Sequence, residues 1–217
     1  MLTIKDLFDL NHTIAADYLS RFTYPWEALA GIQDFILSVG PTLEDYDEVA
    51  PHVWVHKTAT VAPTAYLGGP CIIGPETEVR HCAFIRGSAL VGAGCVVGNS
   101  VELKNVILFD GVQTPHYNYV GDSILGYKSH MGAGSITSNV KSDKLPVVVR
   151  CGDERIDTGR KKVGAMLGDF VEVGCNSVLN PGSVIGRHSI IYPTSCVRGV
   201  LSERSIYKND GTVLPRK

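Results

Sequence analysis

The stretch TPHYNYVGDS, residues 114–123, places a histidine two residues before Asn118 and three before Tyr119. Histidine is the side chain whose ordinary pKa lets it take up and release a proton near neutrality, so His116 could serve as a general base. A lone histidine at a turn is more often a solvent-facing residue, and both readings stand at this point. Arg86 and Lys104 are the other notable pair, 18 residues apart. Both side chains stay charged at neutral pH and suit the binding of a phosphate.

The composition narrows the classes. The chain has 217 residues, a formal charge of −2 and a hydrophobic fraction of 44%. That length suits one domain with a small appendage. The charge points to no nucleic acid and no anionic membrane. No apolar run is long enough to span a bilayer, and the opening MLTIKDLFDL carries acids within its apolar stretch, unlike a signal peptide. Cys71, Cys82, Cys95, Cys151, Cys175 and Cys196 form no C-x-x-C pair. They read as small buried residues in a reducing compartment, so a cytoplasmic protein is expected.

The elements that must position His116 come from a repeat. Every sixth residue from Val49 through Val55, Val61, Leu67, Ile73, Val79, Ile85, Val91 and Val97 to Leu103 is aliphatic. The series then shortens by one residue twice: Leu103, Leu108, Thr114, Val120, Leu125, Met131, Thr137. It resumes as Leu167, Val173, Leu179, Ile185, Ile191 and Val197. A six-residue period fits neither a helix nor an alternating strand. It fits a hexapeptide solenoid of about seven coils, with aliphatic side chains stacked inside and small residues at the corners. Residues one coil apart stack, so Arg86 and Lys104 should lie side by side. Adjacent like charges are costly without an anion between them, which favours a phosphate site.

Outside the repeat, residues 1–48 read as a helical cap over the open N-terminal end. One helix is expected from Ile4 to Arg21, and another from Pro25 to Gly40. The β-helix occupies 49–201. Residues 138–166 interrupt the hexads, and LPVVVR and RIDTG flank CGDE as in a hairpin. An insertion of this kind often sits over a ligand. Residues 202–217 read as a polar arm.

With its period and the segments IRGSALVGAGCVVGNSVELKN, PHYNYVGDSILG, HMGAGSITSN and GDFVEVGCNSVLNPGSVIG, the chain resembles the hexapeptide-repeat acyltransferases. Over about half its length it looks like the acetyltransferase domain of the bifunctional UDP-N-acetylglucosamine pyrophosphorylase/glucosamine-1-phosphate N-acetyltransferases. The resemblance implies an all-β fold, a left-handed parallel β-helix. It also implies acetyl transfer from acetyl-CoA to an amino sugar phosphate, no metal requirement, and a homotrimer with sites between subunits. On that resemblance His116 is the general base. Arg86 and Lys104 hold the phosphate, and Tyr119 and Asn139 line the sugar site. Ala133, Cys175 and Pro193 contact CoA, and Lys208 meets its phosphates. Backbone amides of the glycine-rich MGAGS segment would face the developing oxyanion.

The departures gather on the acceptor side. His130 stands where the family has an asparagine that touches the sugar, and Val140 follows Asn139 in place of a tyrosine. The long insertion replaces a short loop carrying a sugar-phosphate lysine. Counting back from Gly168 puts Lys162 on that lysine, and counting forward points to Lys144. A different amino sugar or a nucleotide sugar is therefore open as acceptor. The relatives' N-terminal uridyltransferase domain does not fit into 48 residues, so no such activity is expected here. Two other readings remain. One is a non-catalytic sugar-nucleotide-binding solenoid. The other is a zinc enzyme like the γ-class carbonic anhydrases, although His52, His56, His81, His116, His130 and His188 contain no five-residue-spaced pair in the middle coils.

Overall fold

A computed structural model describes residues 1–216. The hexads form three parallel ladders. The first face stacks eight rungs, from Val53–His56 through Cys71–Ile73 and Ala89–Val91 to Val200–Leu201. The second also stacks eight, from Thr60–Val61 to Ser205–Tyr207. The third stacks seven, from Tyr66–Leu67 to Cys196–Val197. The longer ladders thus carry one more rung than the repeat count predicts. The solenoid also continues past 201, because Ser205–Tyr207 is a full rung.

The periodic residues point inward as the spacing requires. Ile73, Val91, Leu103, Thr114, Val120, Met131 and Leu179 are buried. Val49 is the exception. It belongs to Tyr46–Ala50, which pairs antiparallel with Val53–His56 and leaves Val49 exposed. This strand covers the first edge of the solenoid, and Val213–Pro215 pairs antiparallel with Ser205–Tyr207 at the other end. Each replaces an open ladder of backbone groups with a paired one.

The expected helical cap does not cover the end of the solenoid, where only the strand Tyr46–Ala50 pairs with the first rung; the helical segment lies along its side. The Asp169 amide donates to the Leu7 carbonyl at 3.0 Å and the Asp110 amide to the His12 carbonyl at 3.0 Å. Phe8 packs on Phe109 with ring centroids 5.0 Å apart. The reason is written in the first face, whose rungs read CII, ALV, VIL, AML and SVI. The middle residue of each points outward yet is apolar, so both sides of that face need cover. Ile72, Leu90, Ile107, Met166 and Val184 are all buried, as is Ile124 in the same place of the rung Ser123–Leu125. The segment also breaks into shorter pieces than the two expected helices: Ile4–Leu7, Ala16–Leu19 and Ile32–Val39, with 3₁₀ turns Leu10–His12 and Pro25–Ala30 between them. Asp9 bends the first, its carboxylate accepting the Asn11 amide, and Gly31 separates the last two.

The insertion is a hairpin, Val148–Cys151 against Glu154–Asp157. It covers the later rungs of the same face, with Val147 and Val149 buried and close to Gly182. The N-terminal ammonium meets Glu154 at 3.2 Å, so the two parts of the cover touch. Of the six cysteines, only Cys71 and Cys95 are buried; Cys82, Cys175 and Cys196 are exposed and Cys151 is half-buried. Among the described residues no helix is long and apolar enough to cross a membrane.

Candidate functional site

The two shortened hexads shape the site. Ordinary corners between the third and first faces have one more residue than those after Leu103 and Val120. At the tightened corners the chain turns through a single left-handed residue, Asn105 (φ 54°) in one and Asp122 (φ 48°) in the next. Asn and Asp tolerate this conformation better than other residues with a side chain. The tight turns let Glu102–Leu108 and Tyr119–Leu125 run as continuous strands across the corner, in register with one another.

Asp122 is buried at the centre of a polar cluster. Its carboxylate accepts from Asn105 Nδ2 at 2.9 Å and from Asn139 Nδ2 at 2.6 Å, and Lys104 Nζ lies 3.3 Å away. Asn139 Nδ2 also donates to the Tyr119 hydroxyl at 3.1 Å. Burial pushes the Tyr119 phenol above its ordinary pKa, with the Asn139 bond opposing. Asn105 Nδ2 also donates to the Leu29 carbonyl at 3.2 Å, tying the helical segment to this corner.

A groove of about 730 Å³ opens beside the cluster. Arg86, Lys104, Arg160, Lys161 and Lys162 line it with Asp122 as the one carboxylate, and Leu29 and Gln33 of the helical segment form a wall. Arg160 Nε is buried and, among the described residues, has no hydrogen-bond partner. Lys162 reaches the groove because it bridges Val140 at the base of the insertion. Lys144 does not line it. Arg86 and Lys104 do occupy neighbouring coils, but each already faces a carboxylate. Arg86 Nη1 meets Glu102 Oε1 at 2.7 Å, and Lys104 meets Asp122. The pair alone therefore does not demand an anion. The case for one rests on the further cations that the insertion adds.

His116 lies at the other edge of the third face. It ends the second-face strand Gln113–His116 and is exposed. Its carbonyl accepts the Gly134 amide at 3.0 Å, the Ala133 carbonyl accepts the Asn176 amide at 2.8 Å, and the Cys175 carbonyl accepts the Thr194 amide at 2.9 Å. Pro193 adjoins that last contact, and Lys208 follows the next rung, Ser205–Tyr207. The residues implicated with CoA thus form one column along a corner, with His116 at its head. Within MGAGS, the Gly132, Gly134 and Ser135 amides are committed to Val173, His116 and Gly132 carbonyls. Among the described residues the Ala133 amide makes no hydrogen bond.

His130 is not part of either group. It pairs in register with Gln113, three residues before His116, and its Nδ1 lies 2.9 Å from Glu172 in a separate groove with Lys128 and Phe170. Its place at the start of a rung, where His116 ends one, separates them by roughly 10 Å of strand. Asp122, Asn105, Glu102, Arg160 and Lys161 were not singled out from sequence. The shortened hexads were the available signal for Asn105 and Asp122. Among the described residues no three His, Cys, Asp or Glu side chains converge as a metal ligand set within one chain.

Comparison with known proteins adds three findings. Residues 69–190 match the family model described as the GMPPB C-terminal domain. The bifunctional protein GlmU of Methanococcus maripaludis is 31% identical over 205 residues, covering 92% of this chain and 50% of the relative. The bifunctional sugar-1-phosphate nucleotidylyltransferase/acetyltransferase of Sulfurisphaera tokodaii is 37% identical over 94 residues, covering 43% of this chain and 23% of the relative. The chain therefore spans half or less of the length of these two relatives. Among solved structures, a hexapeptide transferase family protein from Anaplasma phagocytophilum superimposes with a TM-score of 0.44 at 16% identity, over 76% of this chain and 79% of that one.

Proposed function

Because this chain belongs to the GMPPB C-terminal domain family, with the hexapeptide solenoid described above, we propose that it is a CoA-dependent N-acyltransferase. It transfers acetyl from acetyl-CoA to the amine of an amino sugar phosphate or a nucleotide amino sugar. The observation that carries this reading is the arrangement across the third face. His116 heads the column of Ala133 and Cys175 at one edge, and the Tyr119–Asn139–Asp122–Lys104 cluster lies at the other.

The chemistry follows from that layout. A phosphate on Arg86, Lys104 and Lys162 anchors the acceptor through permanent cations, and Tyr119 lies under the sugar. Gly121, the register partner of Lys104, is five positions along the chain from His116. That is at most roughly 18 Å of chain, within which the side chains of His116 and Lys104 can both reach a bound sugar phosphate. His116 takes a proton from the acceptor ammonium, and the freed amine attacks the thioester carbonyl. The Ala133 amide, unused by the fold, is the donor available to the resulting oxyanion. Collapse breaks the C–S bond to form the amide, and the second proton lost by the attacking nitrogen goes to the departing CoA thiolate. A homotrimer, with neighbouring chains closing the grooves along the column, is part of the proposal.

The test is thiol release from acetyl-CoA with a panel of amino sugars, their 1-phosphates and their nucleotide conjugates, run beside His116→Ala. Release with one acceptor, lost in the variant, is the expected result. A chain that binds no CoA would overturn the transferase reading in favour of a sugar-nucleotide-binding solenoid.

A further inference from the structure

A second groove, of about 430 Å³, lies between the hairpin and the late coils. Lys141 and Arg150 line it from the insertion, and Asn180 and Arg198 from the third face. Arg198 occupies the same outward position as Lys104 four rungs earlier, in the series Lys104, Gly121, Ser138, Asn180, Arg198. Four rungs correspond to roughly 19 Å, so this groove is separate from the acceptor groove.

All of its charged lining residues are cations. Lys141 is compensated, with Asp143 at 3.0 Å. Neither Arg150 nor Arg198 has an ion-pair partner among the described residues. Arg150 also faces Arg155 directly across the hairpin. Like charges in that position destabilise a strand pair, and nothing in the fold of the hairpin requires arginine at both places. The cations are held on anchored backbone. Val147 and Val149 are buried beneath the hairpin, and Gly199 (φ +76°), having no Cβ, lets the Arg150 carbonyl lie close. Two guanidinium groups lining one groove suit the oxygens of a phosphate.

We infer that this groove is a second phosphate-binding site, built by the insertion and taking a pyrophosphate or phosphomonoester group. Two molecules in the proposed reaction could supply that group: the nucleotide end of acetyl-CoA, or the diphosphate of a nucleotide sugar acceptor. Only this assignment of the source rests on the proposed transferase reading.

The probe is inorganic pyrophosphate, titrated calorimetrically into the full chain carrying Arg86→Gln, Lys104→Gln, Lys161→Gln and Lys162→Gln, which removes four of the five cations lining the acceptor groove. Pyrophosphate is expected to bind, and adding Arg150→Gln and Arg198→Gln to weaken it by about tenfold or more. Both arginines are exposed, so folding is preserved, which circular dichroism verifies. No binding in the first background, or an unchanged affinity after the added substitutions, overturns the inference. In the otherwise native chain, Arg150→Gln/Arg198→Gln is then compared for acetyl-CoA against dephospho-CoA, and for nucleotide sugars against sugar 1-phosphates. Loss of the first preference assigns the site to CoA, loss of the second to the acceptor, and loss of neither counts against it. The pyrophosphate titration needs no turnover. A chain that binds pyrophosphate here but transfers no acetyl group would sink the transferase reading alone.

Discussion

Lys104 and Asp122 stand one coil apart and meet at 3.3 Å, the lysine partly exposed and the carboxylate buried. The carboxylate also gathers Asn105 from the preceding coil and Asn139 from the following one. One side chain therefore orients a cation of the acceptor groove and joins the tightened corners to the start of the insertion.

Asp122→Asn keeps a residue that tolerates the left-handed turn but removes the charge. It leaves Lys104 without its partner and sets an amide against Asn139. The expected cost is about 1–3 kcal/mol in urea unfolding, together with a raised KM for the acceptor and an unchanged KM for acetyl-CoA.

Arg86→Ala and Lys104→Ala are expected to raise the acceptor KM by about tenfold or more each, from the loss of a charge-assisted contact. Glu102→Gln releases Arg86 from an exposed pair. It should change stability by about 0–1 kcal/mol and leave acceptor binding intact or tighter. Steady-state kinetics with the acceptor varied at saturating acetyl-CoA separates these outcomes.

His130→Asn should leave the acceptor KM within about twofold, because His130 faces Glu172 in another groove and rim pairs of this kind contribute little. A large loss on this substitution would place the acceptor against the second face instead.

Thiol labelling tests the column. Burial pushes the Cys71 and Cys95 thiols up to about 12. At pH 8 they are therefore protonated as well as inaccessible, and iodoacetamide should miss them until the chain unfolds. Cys82, Cys175 and Cys196 are exposed and should react. Acetyl-CoA should protect Cys175 and not Cys82, read by peptide mass spectrometry.

Gly98 lies beside Pro115, and a Cβ there would overlap the Pro115 carbonyl. Gly98→Ala should therefore displace the residue next to His116. The expectation is a stability loss of about 1–3 kcal/mol and a fall in kcat larger than any change in either KM.

Much of this architecture is legible in the chain itself because the hexad is a local rule. Six residues make one rung and its corner, so the aliphatic places settle which side chains enter the interior before any distant contact is known. The hairpin was legible for the same reason, and the missing residue in two hexads marked where Asn105 and Asp122 turn. The apolar triples of the first face carried the further message that this face is covered. The period itself did not require that cover, so the helical segment could be read as an end cap. The partners of outward side chains depend on more. Whether Lys104 meets Asp122 or an anion turns on coils of 17 residues stacking on coils of 18. Whether His130 joins His116 turns on which end of its rung each occupies. The convergence of Lys162 on Arg86, and of Arg150 on Arg198, turns on where the insertion folds back. Those relations bring together residues far apart in the chain, and only the packing of the cover onto the solenoid brings them within reach.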